Sequence, residues 1–112
     1  MKDLKRLDLL ETGVSDISVM KNLESLEDVI LNDTNVEDVS ALSELPHLKS
    51  IFLANTKVKD ISILADLPNL EMLNVYNTDV EDISAFIKKG KLNILGIEKK
   101  KIPLKPPYLI GQ

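Results

Sequence analysis

The sequence contains no cysteine, which excludes a disulfide framework, a thiolate metal site and a cysteine nucleophile, and is compatible with a reducing compartment. It has one histidine, His47, in the loop after Pro46. With no second histidine to join it, no histidine metal site can be assembled, and nothing around it suggests a triad. Long apolar runs are also missing, and Met1 is followed at once by Lys, Asp and Leu. No signal peptide or membrane span is read, and a cytoplasmic location is expected.

What is present is ordinary in amount and unusual in its order. A chain of 112 residues that is 44% apolar and 29% charged can bury one continuous core, which argues against disorder. The net charge of -4 hides an asymmetry: residues 1–90 carry 9 basic and 17 acidic groups, whereas residues 91–112 carry 5 and 1. Four stretches nearly repeat one another: TGVSDIS from Thr12, TNVEDVS from Thr34, TKVKDIS from Thr56 and TDVEDIS from Thr78, each 22 residues after the last.

Setting Leu4, Leu26, Leu48, Leu70 and Leu92 at the first position of a unit aligns the rest without insertion. The fourth position holds Leu7, Val29, Ile51, Leu73 and Leu95, the sixth Leu9, Leu31, Leu53, Val75 and Ile97, and the eleventh Val14, Val36, Val58, Val80 and Ile102. Apolar residues at the fourth and sixth positions have the period of a short strand with one buried face. The period then changes, with Ile17, Val39, Ile61 and Ile83 followed three residues later by Met20, Leu42, Leu64 and Phe86. That spacing predicts one or two helical turns, partly 3₁₀. Asp16, Asp38, Asp60 and Asp82 stand where a helix N-cap would accept backbone N–H groups.

This pattern resembles the leucine-rich repeat, L-x-x-L-x-L-x-x-N/C-x-L. The unit length and V-x-D-I-S are similar to the internalin and phosphatase-regulator subclass, a likeness that leans bacterial. The resemblance implies an α/β solenoid, with a concave parallel sheet and short, partly 3₁₀ helices on the convex side. Residues 1–102 are expected to form the solenoid, with units starting at 4, 26, 48, 70 and a partial one at 92. Residues 103–112, with Pro103, Pro106 and Pro107, should form an extended closing segment that folds Tyr108, Leu109 and Ile110 over the last coil. The ninth position, usually Asn, is Thr12, Thr34, Thr56 and Thr78, so a Thr ladder is expected to tie consecutive loops together. No polar capping segment precedes Leu4, so that edge is expected to be covered by a second copy, a partner or further repeats.

Strand residues that do not point inward make the concave face. The alignment puts Ile30 beside Phe52 with Met72 and Tyr76 around them, an apolar cluster that the core does not need, next to Asn74 and Asn32. Such a cluster, with Asp8, Glu11, Asp28 and Asp33 toward its N-terminal side, suits a protein partner with basic groups at that end. For the last unit the same alignment exposes Ile94, Gly96 and Glu98. The expected function is non-enzymatic protein recognition through Asp8, Asp28, Ile30, Asn32, Phe52, Met72, Asn74 and Tyr76; the alternative is a structural stretch of a larger repeat array. Homo-oligomers through the first edge are also allowed. No cofactor or metal is expected, because capping accounts for the Asp series. No nucleic-acid or membrane binding is expected either, since Lys99, Lys100 and Lys101 come without an arginine fork or a glycine-rich phosphate loop.

Overall fold

The structure, a computed structural model, describes residues 3–86 and 92–97. Each repeat contributes a three-residue strand: β1 (Arg6–Asp8), β2 (Asp28–Ile30), β3 (Ser50–Phe52), β4 (Met72–Asn74) and β5 (Asn93–Leu95). They join in chain order into one parallel sheet. Through β4 the register equals the repeat: Leu7 pairs with Val29, Val29 with Ile51 and Ile51 with Leu73. Equivalent side chains of successive coils therefore stack in rows on the same face.

The return path of each coil carries a 3₁₀ helix: η1 (Ser18–Asn22), η2 (Ser40–Glu44), η3 (Ser62–Asp66) and η4 (Ser84–Phe86). Over the described residues all four are 3₁₀ rather than only partly so. The amides of Met20, Leu42, Leu64 and Phe86 each donate to the carbonyl three residues back at 2.9 Å. Strand spacing sets a coil thickness of ~4.8 Å, and an α-helix ~10–12 Å across would force the convex side apart. The slimmer 3₁₀ turn lets η1, η2, η3 and η4 pack in series against one another.

Between sheet and 3₁₀ turns lies a core built of repeated rows. Leu26 and Leu48, Val29, Ile51 and Leu73, Leu31 and Leu53, and Val36 and Val58 are all fully buried, as are Leu42 and Leu64 on the convex side. The first coil is less closed: Leu4, Leu7, Leu9, Val14 and Leu23 pack on the core but are only partly buried.

Three local expectations are corrected. The Asp series does accept backbone N–H bonds, from Ser18, Ser40, Ser62 and Ser84 at 2.8–2.9 Å. For η1, η2 and η3, however, the N-cap position is occupied by Ile17, Val39 and Ile61. Each Asp thus closes an Asx turn just before its 3₁₀ helix instead of capping the helix itself. The Thr hydroxyls do not join consecutive loops. Those of Thr12, Thr34, Thr56 and Thr78 donate to Leu9, Leu31, Leu53 and Val75, three residues back in the same coil. The side-chain ladder between coils sits one residue earlier, where Asn77 donates to Asn55 at 2.6 Å and Asn55 to Asp33 at 2.8 Å. Glu11, Asp33, Asn55 and Asn77 have φ of 54–60°, a left-handed conformation that Asn and Asp tolerate better than most residues.

The third correction concerns β5. Met72 pairs with Asn93, Leu73 with Ile94 and Asn74 with Leu95, one residue earlier than the 22-residue alignment predicts. A one-residue slip exchanges the two faces of a strand, so Ile94 packs on the core and Leu95 joins the concave row. Gly96 makes the slip possible. Its φ is +94°, and a Cβ there would lie 2.3 Å from the Tyr76 amide nitrogen. The expectations for Glu98, for Lys99, Lys100 and Lys101, for Ile102 and for the closing segment 103–112 lie outside the described residues.

Candidate partner-binding face

The concave face is made of the outward residues of five strands and the residue that follows each core position. One row reads Arg6, Asp28, Ser50 and Met72; the next Asp8, Ile30, Phe52, Asn74 and Leu95. A third row holds Leu10, Asn32, Ala54 and Tyr76, aligned by bonds from the amides of Glu11, Asp33 and Asn55 to the carbonyls of Asn32, Ala54 and Tyr76. All eight residues expected from the sequence therefore lie on one face.

Their surroundings differ. Ile30, Phe52 and Met72 are half-buried, while Tyr76 is 56% exposed and Leu10 47%. The core behind them is already filled, so these side chains are surplus to the packing of the coil. Asn32 carries a duty the sequence did not reveal: its Oδ1 accepts the Ala54 amide at 2.8 Å and so links two coils. Asp8 and Asn74 use one oxygen each on the amide two residues ahead, Leu10 and Tyr76, at 3.0 Å.

Leu95 was missed because its placement depends on a glycine in a row where the repeat otherwise has an apolar side chain. Aligning Ile94 with Leu73 sets Gly96 opposite Val75, against the pattern, and no local signal in LNILGIE favours that choice.

Away from this face, an open groove at the corner between the first two coils is lined by Asp16, Ser18, Lys21, Asp38, Ser40 and Glu44. The Ser18 amide first and its hydroxyl second hold Asp16 below its ordinary value, and Ser40 acts on Asp38 in the same order. For Asp60 and Asp82 the hydroxyls of Ser62 and Ser84 lead, followed by their amides. These carboxylates are committed to turn closure. Among the described residues no group of three or more His, Asp or Glu side chains is arranged to hold a metal. His47 lies on the surface.

The fold and the repeat together define a leucine-rich-repeat solenoid. Residues 46–88 match the family described as leucine rich repeats (2 copies), and the 22-residue unit is consistent with the internalin-like subclass. An internalin (inlF) of Listeria monocytogenes is similar at 29% identity and a TM-score of 0.80, over 86% of this chain and 28% of its own. An internalin C2 (inlC2) of the same species is similar at 27% identity and a TM-score of 0.81, over 87% of this chain and 43% of its own. A leucine-rich-repeat protein of Leptospira interrogans, at 21% identity and a TM-score of 0.72, covers 87% of this chain and 26% of its own and shares the fold. The chain thus spans less than half the length of each, and a bacterial origin fits these neighbours. No curated protein sequence matches the chain. Among the described residues no helix is long and apolar enough to cross a membrane.

Proposed function

We propose that this chain is a non-enzymatic recognition module that binds a protein partner through its concave face. Leucine-rich repeats generally mediate protein–protein interaction, and one observation carries the reading to this surface. Ile30, Phe52, Met72 and Tyr76 gather on the outward side of a sheet whose inward side is already closed by Val29, Ile51 and Leu73. Desolvating apolar and aromatic anchors ringed by polar groups is the usual source of affinity at a protein interface. Ile30, Phe52, Met72 and Tyr76 are the anchors; Asp8, Asp28, Asn32 and Asn74 form the polar surround.

The test compares immobilised wild type with a Phe52→Glu/Tyr76→Ala variant in lysate of the source cells, with retained proteins identified by mass spectrometry. A protein held by the wild type and lost by the equally stable variant supports concave recognition. Equal retention by both overturns it. A second reading, in which these coils are a structural stretch of a longer array, is favoured by the 28% and 43% coverage of the internalin chains. It expects no concave-dependent partner at all.

A further inference from the structure

The concave face changes character along the solenoid axis. Over β1 and β2 its outward rows hold Asp8 and Asp28 against the single cation Arg6, and the adjoining loop positions add Glu11 and Asp33. Over β3, β4 and β5 the same rows hold Ser50, Phe52, Ala54, Met72, Asn74, Tyr76, Asn93 and Leu95, with Asn55 and Asn77 at the loop positions. The acidic part therefore gives way to a face with no charge in these rows. Ile30 stands at the junction. The slipped register of β5 decides the extent of the apolar half, because it sets Leu95 in the row of Phe52 instead of Gly96. Among the described residues the ion pair formed is Lys49 with Glu27, at 3.8 Å; Asp8, Asp28 and Glu11 enter none.

We infer that this face is bipartite and takes a partner segment in which a Lys/Arg cluster and an aliphatic or aromatic anchor lie about 10 Å apart, two strand spacings. The inference rests on the concave reading above and adds the partner's chemistry and its direction. The basic end lies over β1 and β2, where Asp8 and Asp28 complement it, and the apolar end lies over Phe52, Met72, Tyr76 and Leu95. About three residues of extended chain, at ~3.3 Å each, span the two halves; a helix needs about seven, at ~1.5 Å each. Apolar contact supplies the hold, and the carboxylates set orientation and speed encounter.

A phage-displayed library of linear random peptides, panned on the wild-type chain at low salt, tests this. Synthetic copies of the enriched peptides are then titrated by fluorescence polarisation against the wild type, Asp8→Asn/Asp28→Asn and Phe52→Ala/Leu95→Ala, after matching circular dichroism and melting show that all three are folded. Basic and apolar residues enriched at one of the two spacings are expected. The carboxylate variant should bind roughly tenfold more weakly, within what the loss of two rim charge pairs allows. Binding to the wild type should fall with added salt far more than binding to that variant, and the apolar variant should lose binding altogether. If the apolar variant loses binding while the carboxylate variant and salt change nothing, the bipartite inference fails and the concave reading stands. Peptides enriched in acidic residues overturn the inference in the same way. If neither variant binds more weakly than the wild type, or no peptide is enriched, both fall.

Discussion

At the residue scale, neighbours in sequence have opposite duties. Leu53 is fully buried and sits between Phe52, which faces the concave side, and Ala54, which follows it there. Leu53→Ala leaves a cavity between stacked coils and should destabilise the fold by ~2–5 kcal/mol. Phe52→Ala, which removes a half-buried ring on the concave side, should move the denaturant midpoint less; equal losses would overturn the assignment of faces. Gly96 is the second position where one side chain decides the geometry. At φ +94°, and with the Tyr76 backbone 2.3 Å from an added Cβ, Gly96→Ala should cost more than ~1 kcal/mol in equilibrium unfolding. Hydrogen exchange locates the damage. The Val75 amide, which donates to Leu95 at 2.8 Å, should exchange faster in the variant, while the Leu31 amide, which donates to Phe52 at 2.8 Å two coils away, should change less. Equal acceleration at both amides would mean that the strain is not confined to the pairing of β5.

At the element scale the recurring device is the corner before each 3₁₀ helix. A carboxylate closes the turn by accepting the Ser amide two residues on, and in the third coil the Ser62 hydroxyl also donates to Asp60 at 2.7 Å. Hydrogen bonds to the ionised form hold Asp16, Asp38, Asp60 and Asp82 below the ordinary carboxylate value. A carboxylate depressed in the folded state binds protons more readily when unfolded. Its contribution is therefore complete above the unfolded value of ~3.9 and is lost as pH falls through the folded one. Urea midpoints should stay level through these groups from neutral pH down to mildly acidic pH and fall below about pH 4. A variant with Asn at all four positions keeps an acceptor but not the titration, so its fall should be shallower. Curves of the same steepness would remove these turns from the acid response.

At the scale of the whole molecule, stability follows the stack. Each coil closes its neighbours, so the second and third coils are covered on both sides, and their residues at the fourth position, Val29 and Ile51, are fully buried. Leu7 at the same position of the first coil is only partly buried. Ile51→Ala should therefore cost ~2–5 kcal/mol and Leu7→Ala distinctly less. Amides of the first coil should exchange faster than those of the second and third in a hydrogen-exchange series. Uniform protection from the first coil to the fourth would mean that the first edge is covered in solution. The half-open edge and the filled middle are one consequence of a core in which every contact is with the adjacent coil.

The order of the residues was enough to specify the repeat, its 22-residue length, the strand and the convex turn of each unit, and the inward rows of the first four coils. It sufficed because burial in a solenoid is periodic, and a strict period needs no knowledge of distant contacts. Contacts between coils settled what remained. The Thr residues read as a ladder between coils, but a hydroxyl on a short side chain reaches the carbonyl three residues back in its own loop, as Thr56 does to Leu53 at 2.7 Å. The longer amides of Asn55 and Asn77, held outward by positive φ, span the gap between coils. The Asp residues were legible as acceptors of backbone N–H groups at the start of each helix, but they were read as N-caps, and the structure sets them one residue ahead of that position, closing the turn. In β5 two alignments competed, and the local pattern favoured the one that keeps Leu95 inside. Pairing with β4 chose the other, because a glycine at position 96 can pass against the Tyr76 backbone where a Cβ would collide, and that choice placed Leu95 on the concave face.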